Sequence, residues 1–348
     1  MEESTNDLFS LMFSNRTKKI NTTISNLTIV QNKYFRITFA ILFSFMTLMT
    51  FCGGLFVCHV VRKHKLWKST VWMLLIFLTI SDTLNGVITI PTYIAAYIDE
   101  SILHDRWMCN FSTFVSIFFA HTTIYAIAAI SVGRMKVVLD PYSSLDAPQL
   151  RTLTGYVLFA VLLSASLSVP PILGFGEYNC DRGKSWCTFR GEFPDVKQQN
   201  KYMIFLICLF GYLVPLLVII WSSVKTYLAF RTTSTVRLAM RGRSVDEICV
   251  ENWRMARVMM IVIIAFLIFW TPIVIYLFTI SLDFRPGGWF WPIWGHIAHL
   301  VMFLQGIINP FVFTCKHRCF NKEIRCFYGV CSKMKNKVGI QEFPTKTP

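Results

Sequence analysis

Seven stretches of this 348-residue chain are each apolar enough to cross a bilayer: Phe35–Val61, Trp72–Ile98, Phe111–Leu139, Leu153–Leu173, Tyr202–Phe230, Val258–Leu282 and Trp289–Phe313. A helix needs about 20 mostly apolar residues to span the hydrocarbon layer. Within lipid its backbone polar groups must pair inside their own segment, which leaves little choice but helix. The chain is therefore read as an all-α membrane protein, a seven-transmembrane helix bundle. Only 15% of its residues are charged, against about 25% in soluble domains. The fourth stretch is the shortest. The seventh is the most polar, interrupted by His296, His299, Gln305 and Asn309.

A net charge of +15 suggests nucleic acid in a soluble chain, but here its distribution argues for a membrane and against nucleic acid. With the N-terminus outside, the inner loops and tail hold 22 of the 34 Lys and Arg, and the outer segments hold 12. That asymmetry places the N-terminus outside and the tail in the cytoplasm. Three glycosylation sequons begin at Asn15, Asn21 and Asn26 in the polar leader. A fourth, at Asn110, hugs a membrane boundary and is expected to be unused. No apolar core precedes Phe35, so the first span is expected to serve as a signal anchor at the plasma membrane. The expected organisation is an extracellular glycosylated segment 1–34, a bundle 35–313, and an amphipathic helix and cytoplasmic tail 314–348.

Cysteines divide by compartment. Cys109, Cys180 and Cys187 fall on the oxidising side, where disulfides persist. Cys326 and Cys331 follow a basic, partly apolar stretch and are candidates for palmitoylation; ordinary reduced thiols are the alternative.

Polar residues inside the spans are costly, and by default functional. "LTISD" puts Asp82 near the membrane midplane. Span three begins at Cys109, and twenty-five residues on stands Arg134, in Gly133-Arg134-Met135. Span six carries "FLIFWTP" with Trp270 and Pro272, and span seven ends "NPFVF" from Asn309 to Phe313. In this order and spacing, from Gly53 to Phe313, the chain resembles a divergent class A (rhodopsin-like) G-protein-coupled receptor. The resemblance implies a disulfide between Cys109 and Cys187. It implies a polar core of Asp82, Thr123, Trp270, Gln305 and Asn309 that holds a sodium ion. The other reading is a protonated Asp82 that is only hydrogen-bonded. The family's first-span Gly-Asn reads Gly53-Gly54, so one amide is missing.

The resemblance also makes Arg134 the cytoplasmic switch that meets a heterotrimeric G protein, and arrestin is a further expected partner. Its usual neighbouring carboxylate is replaced by Gly133. Glu251, at the start of span six, stands about one residue off the position that pairs with the arginine. The tyrosines that rebuild a polar network around it are Ser223 and Phe313 here. Losing ~1.4 kcal/mol of restraint shifts such an equilibrium about tenfold, but the missing tyrosines oppose that shift. A short amphipathic helix over Lys316–Tyr328 is expected along the inner lipid surface.

Three branches of the family compete for this chain. "PPILGFGEY" is opsin-like, yet the Schiff-base lysine position, six before Asn309, is Phe303, which excludes retinal linkage. The amine-pairing acid position is Ser116. The closest resemblance is to prostanoid receptors, through "CNFSTFVSIFF", Pro91, Tyr97 and Ser185-Trp186-Cys187-Thr188. That resemblance makes Tyr97, Ser116, Ser185, Trp270, His299 and Leu300 the ligand pocket. The carboxylate-gripping arginine is replaced by Leu300, leaving His299, Arg182, Lys184 and Arg190 as substitute cations. His121 either faces the cavity or bonds a neighbouring helix, the second being favoured. His296 and His299 are one turn apart but lack a third metal ligand. The expected function is a receptor for a lipophilic, prostanoid-like ligand with degenerate activation motifs. The alternative is a seven-span protein that has lost G-protein coupling and acts by binding. No catalytic triad or phosphate loop appears, so no enzyme is expected.

Overall fold

The computed structural model describes residues 32–65, 70–139, 149–180, 185–189, 193–239, 243–282 and 290–316. The three sequons, Cys326, Cys331 and the expected helix beyond Lys316 lie outside the described residues. Among the described residues six helices are long and apolar enough to cross a membrane, and the apolar part of a seventh, Ile293–Asn309, is shorter. Span one is Lys33–Lys63. Span two runs Thr70–Leu84, then Asn85–Thr89, then Ile90–Ile98. Spans three and four are Arg106–Leu139 and Gln149–Ser168. Span five is Pro194–Leu206, Ile207–Leu213 and Val214–Ala239. Spans six and seven are Arg243–Ser281 and Phe290–Lys316.

Local chemistry sets several of these boundaries. Asn32 caps span one by accepting from the Tyr34 amide at 2.9 Å. Arg62 and Lys63 occupy its last turn, where cations suit the negative end of the helix dipole. Span four stops at Ser168, five residues short of the expected Leu173, because Pro170-Pro171 cannot continue the helix. The π-helical turns Asn85–Thr89 and Ile207–Leu213 stand just before Pro91 and Pro215. A proline has no N–H for the carbonyl four residues back, and a wider turn is one way the backbone absorbs that loss.

Small residues bring spans one, two and seven together. A Cβ on Gly54 would lie 2.0 Å from Thr83 Oγ1. Thr50 sits where a Cβ on Gly86 or Gly306 would meet its Cγ2, at 2.9 and 3.2 Å. The missing first-span amide thus coincides with a close helix contact. Leu158, Phe159, Leu162, Leu217, Trp221 and Leu228 point outward and are exposed, as a lipid-facing surface requires.

The outer loop after span four forms a hairpin. β1 (Tyr178–Cys180) pairs antiparallel with β2 (Cys187–Phe189), with Cys180 opposite Cys187. Gly174 and Gly176 turn the chain into it at φ 94° and 85°. Glu177 N donates to Asn200 Oδ1 at 2.9 Å, and Tyr178 donates to the Ser168 carbonyl at 3.0 Å. Burial holds the Tyr178 phenol well above its ordinary range, so it remains a donor. Cys187 is bonded to Cys109 at the top of span three, with Cα atoms 5.7 Å apart. The hairpin is thereby fixed over the outer mouth of the bundle.

This crosslink joins residues 78 apart. Cys187→Ser is expected to lower the unfolding free energy by about 2–5 kcal/mol, read as a lower midpoint in thermal unfolding of the purified protein.

Candidate ligand cavity and polar core

Two buried spaces lie on the bundle axis. The outer one encloses about 820 Å³ of non-atom space, part of it open to solvent. Span three gives it Ser112, Ser116, Ala120, His121 and Ile124. Spans five, six and seven add Cys208, Gly211, Tyr212, Ile273, His299 and Met302, and the hairpin covers it with Trp186, Thr188 and Phe189. Trp270 closes its inner end. Among the described residues, no Asp, Glu, Lys or Arg lines it.

Most wall polar groups are satisfied by the protein itself. Ser112 shares a 2.9 Å hydrogen bond with Thr92, and Thr113 donates to the Cys109 carbonyl at 2.8 Å. Tyr212 and Thr271 pair at 2.9 Å, and His299 Nδ1 meets the Gly295 carbonyl at 2.7 Å. His121 Nδ1 lies 2.6 Å from the Ile117 carbonyl of its own helix. His121 therefore does not bond a neighbouring helix; it lines the cavity, against Gly211.

The pocket residues expected from the sequence separate here. Ser116, Trp270 and His299 are on the wall. Tyr97, Ser185 and Leu300 are not. Tyr97 is buried beside Phe39 and Phe43, with its hydroxyl 2.6 Å from His296 Nδ1. Ser185 is buried within hydrogen-bonding reach of Tyr97. Leu300 packs half-buried against the central core. Tyr93, one turn deeper than Tyr97, takes the wall position and stacks on Trp186. The sequence reading missed Tyr93, Trp186 as a roof, and Gly211.

The inner space, about 320 Å³, lies beneath Trp270. Asp82 is buried there, and its carboxylate ties three spans together. Thr123 donates to Oδ1 and Asn309 Nδ2 to Oδ2, each at 2.7 Å. The Trp270 indole donates to Gln305 Oε1. Thr50 and Asn85, not foreseen, complete the wall. Asn85 was findable, because it stands one helical turn after Asp82. The oxygens Thr50 Oγ1, Asn85 Oδ1 and Asn309 Oδ1 are buried without a protein partner. At the cytoplasmic end Arg134 is half-buried, between Gly133 and the buried Met135. Glu251 belongs to span six, in a stretch whose side chains lie outside the described residues.

A model of the 7 transmembrane receptor (rhodopsin family) matches residues 53–313. The chain belongs to that family. The receptor is similar to a Gq-coupled rhodopsin of Mizuhopecten yessoensis, 23% identical over 290 residues that cover 80% of this chain and 56% of the relative. It is similar to melanopsin of Mus musculus, 27% identical over 226 residues, covering 63% and 43%. Melanopsin-B of Xenopus laevis is 24% identical over 229 residues, covering 63% and 42%. The receptor thus spans about half the length of these curated relatives. Squid rhodopsin shares its fold, with a TM-score of 0.74 at 17% identity over 90% of this chain and 93% of the other. These relatives are opsins, and the prostanoid likeness read from short motifs finds no support in them. Within the receptor, Phe303 is buried at the position expected of a Schiff-base lysine. Membership of this receptor family agrees with a non-enzymatic protein.

Removing the Asp82 side chain strands the Thr123 and Asn309 donors. Asp82→Ala is expected to destabilise the receptor by about 2–4 kcal/mol, read as a drop in thermal midpoint. Asp82→Asn, which keeps an acceptor, is expected to lose less.

Proposed function

We propose that this chain is a plasma-membrane receptor, N-terminus outside, that takes an uncharged lipophilic molecule in the outer cavity and signals to a heterotrimeric G protein through Arg134. The observation that carries the ligand half is the wall: a largely apolar space, partly open to solvent, with no ionised side chain among its described residues. An ammonium or a carboxylate would lose its hydration there without a counter-charge. Among the described residues that argues against amines and against a prostanoid acid; Arg182, Lys184 and Arg190 lie outside them. Tyr97 and Ser185, the hydroxyls expected to grip a carboxylate, lie off the wall, and Leu300 brings no charge. Phe303 in place of lysine argues for reversible, noncovalent binding.

The coupling half rests on Arg134, which stands at the family's position with Gly133 as its neighbour in place of an acid. The test is basal second-messenger output, across G-protein classes, for wild type and Arg134→Ala at matched surface expression. Wild type is expected above the untransfected level and Arg134→Ala at that level. Equal output from both above that level would overturn the coupling role. Silence in both, in the presence of a cavity ligand, would favour the uncoupled reading.

Asp82 with the unpartnered oxygens of Thr50, Asn85 and Asn309 fits a sodium ion, a hard cation that prefers oxygen. We propose that site as well. Sodium chloride is expected to raise the thermal midpoint over choline chloride at equal ionic strength. Asp82→Asn is expected to remove the difference, and an unchanged difference would remove the site.

A further inference from the structure

Three polar atoms on residues that line the outer cavity have no protein partner, and they differ in kind. On the hairpin, Trp186 Nε1 and Thr188 Oγ1 are buried and unbonded. Indole nitrogen can only donate, and a hydroxyl has a proton to give. Deep in the cavity, His121 presents the opposite. Its Nδ1 must donate to the Ile117 carbonyl at 2.6 Å. With no carboxylate on the wall to stabilise an imidazolium, the ring is neutral, and Nε2 is left as an acceptor. Buried polar groups left unpaired are costly, and they mark where a ligand's polar atoms are worth most.

Thr188 adjoins Cys187, which is bonded to Cys109, and His121 lies twelve residues past Cys109 along span three, a rise of about 18 Å. Trp186 reaches inward from the hairpin against Tyr93 and His299. Gly211 makes the deep end. A Cβ there would stand 2.2 Å from His121 Nε2, so any side chain would cover the acceptor. Gly211 sits in the π-helical turn of span five, four residues before Pro215, where the helix has room to leave this space.

Resting on the proposed lipophilic ligand, we infer that the cavity selects a neutral lipid alcohol. Its hydroxyl donates to His121 Nε2, and an oxygen at the other end accepts from Trp186 and Thr188. His121 is then the residue that tells an alcohol from an ether or hydrocarbon of the same shape.

The test uses the full chain purified in detergent and three probes. They are 25-hydroxycholesterol, with hydroxyls at opposite ends; its bis-methyl ether, which keeps the acceptors and loses both donors; and oleic acid. Wild type is expected to bind the diol roughly tenfold more tightly than the ether, the effect of one hydrogen bond. His121→Phe is expected to abolish that preference. His121→Gln, whose amide oxygen can accept, is expected to keep most of it, which separates a lost acceptor from a misfolded pocket. Equal affinity for diol and ether in wild type, or an intact preference in His121→Phe, would overturn the inference. Oleic acid binding while both neutral probes fail would overturn the neutral class and leave a lipid receptor. No binding by any of the three would overturn the lipophilic cavity itself.

Discussion

A carboxylate in the middle of a membrane must find donors, and Asp82 finds them on two other helices. Spans two, three and seven are held in register by two 2.7 Å bonds to one side chain. That fixed register places Trp270 between the two internal spaces, since its indole bonds Gln305 on the same span as Asn309. The polar core is thus the floor on which the outer cavity stands. The crosslinked hairpin is its roof, and between them the described wall is uncharged and largely apolar.

The number, order and approximate ends of the spans were legible because length and hydrophobicity are long-range signals. Lipid leaves a 25-residue apolar run few options. Cys109, Cys187, Asp82, Thr123 and Asn309 were legible through the resemblance to the family, whose motifs occur here in order and at its spacing. The cavity wall was not. A span surrounded by lipid and other helices is apolar on every side, so no stripe in the sequence says which face looks inward. Tyr93 and Tyr97 show the difficulty. Both are buried aromatic residues of one helix a turn apart, and the preceding π-helical turn carries an extra residue that rotates everything after it. The motif pointed to Tyr97, while the cavity belongs to Tyr93. The prostanoid likeness failed for a related reason: it rested on side chains whose direction the sequence does not fix.

The departures from family pattern are compensated unevenly. Where the first-span amide is lost, Gly54 lets Thr83 approach closely, and Thr50 and Asn85 bring oxygen to the same space. Where the carboxylate beside Arg134 is lost, Gly133 brings nothing comparable. The polar core therefore keeps the family's arrangement with new side chains, while Gly133-Arg134-Met135 keeps chiefly the arginine of its motif.

One methyl group has a wider reach than its size suggests. Thr50 Cγ2 is the atom that a Cβ would strike from Gly86 on span two and from Gly306 on span seven. The mutational tolerance of three helices is consequently read through residue 50. A serine there would keep the hydroxyl and relieve the contact facing Gly306, where the hydroxyl at 3.5 Å and Asp82 Cβ at 3.8 Å would remain, while a Cβ at Gly86 would still stand 3.1 Å from the Cβ of residue 50. What each of these helices tolerates is thus set by a side chain on its neighbour.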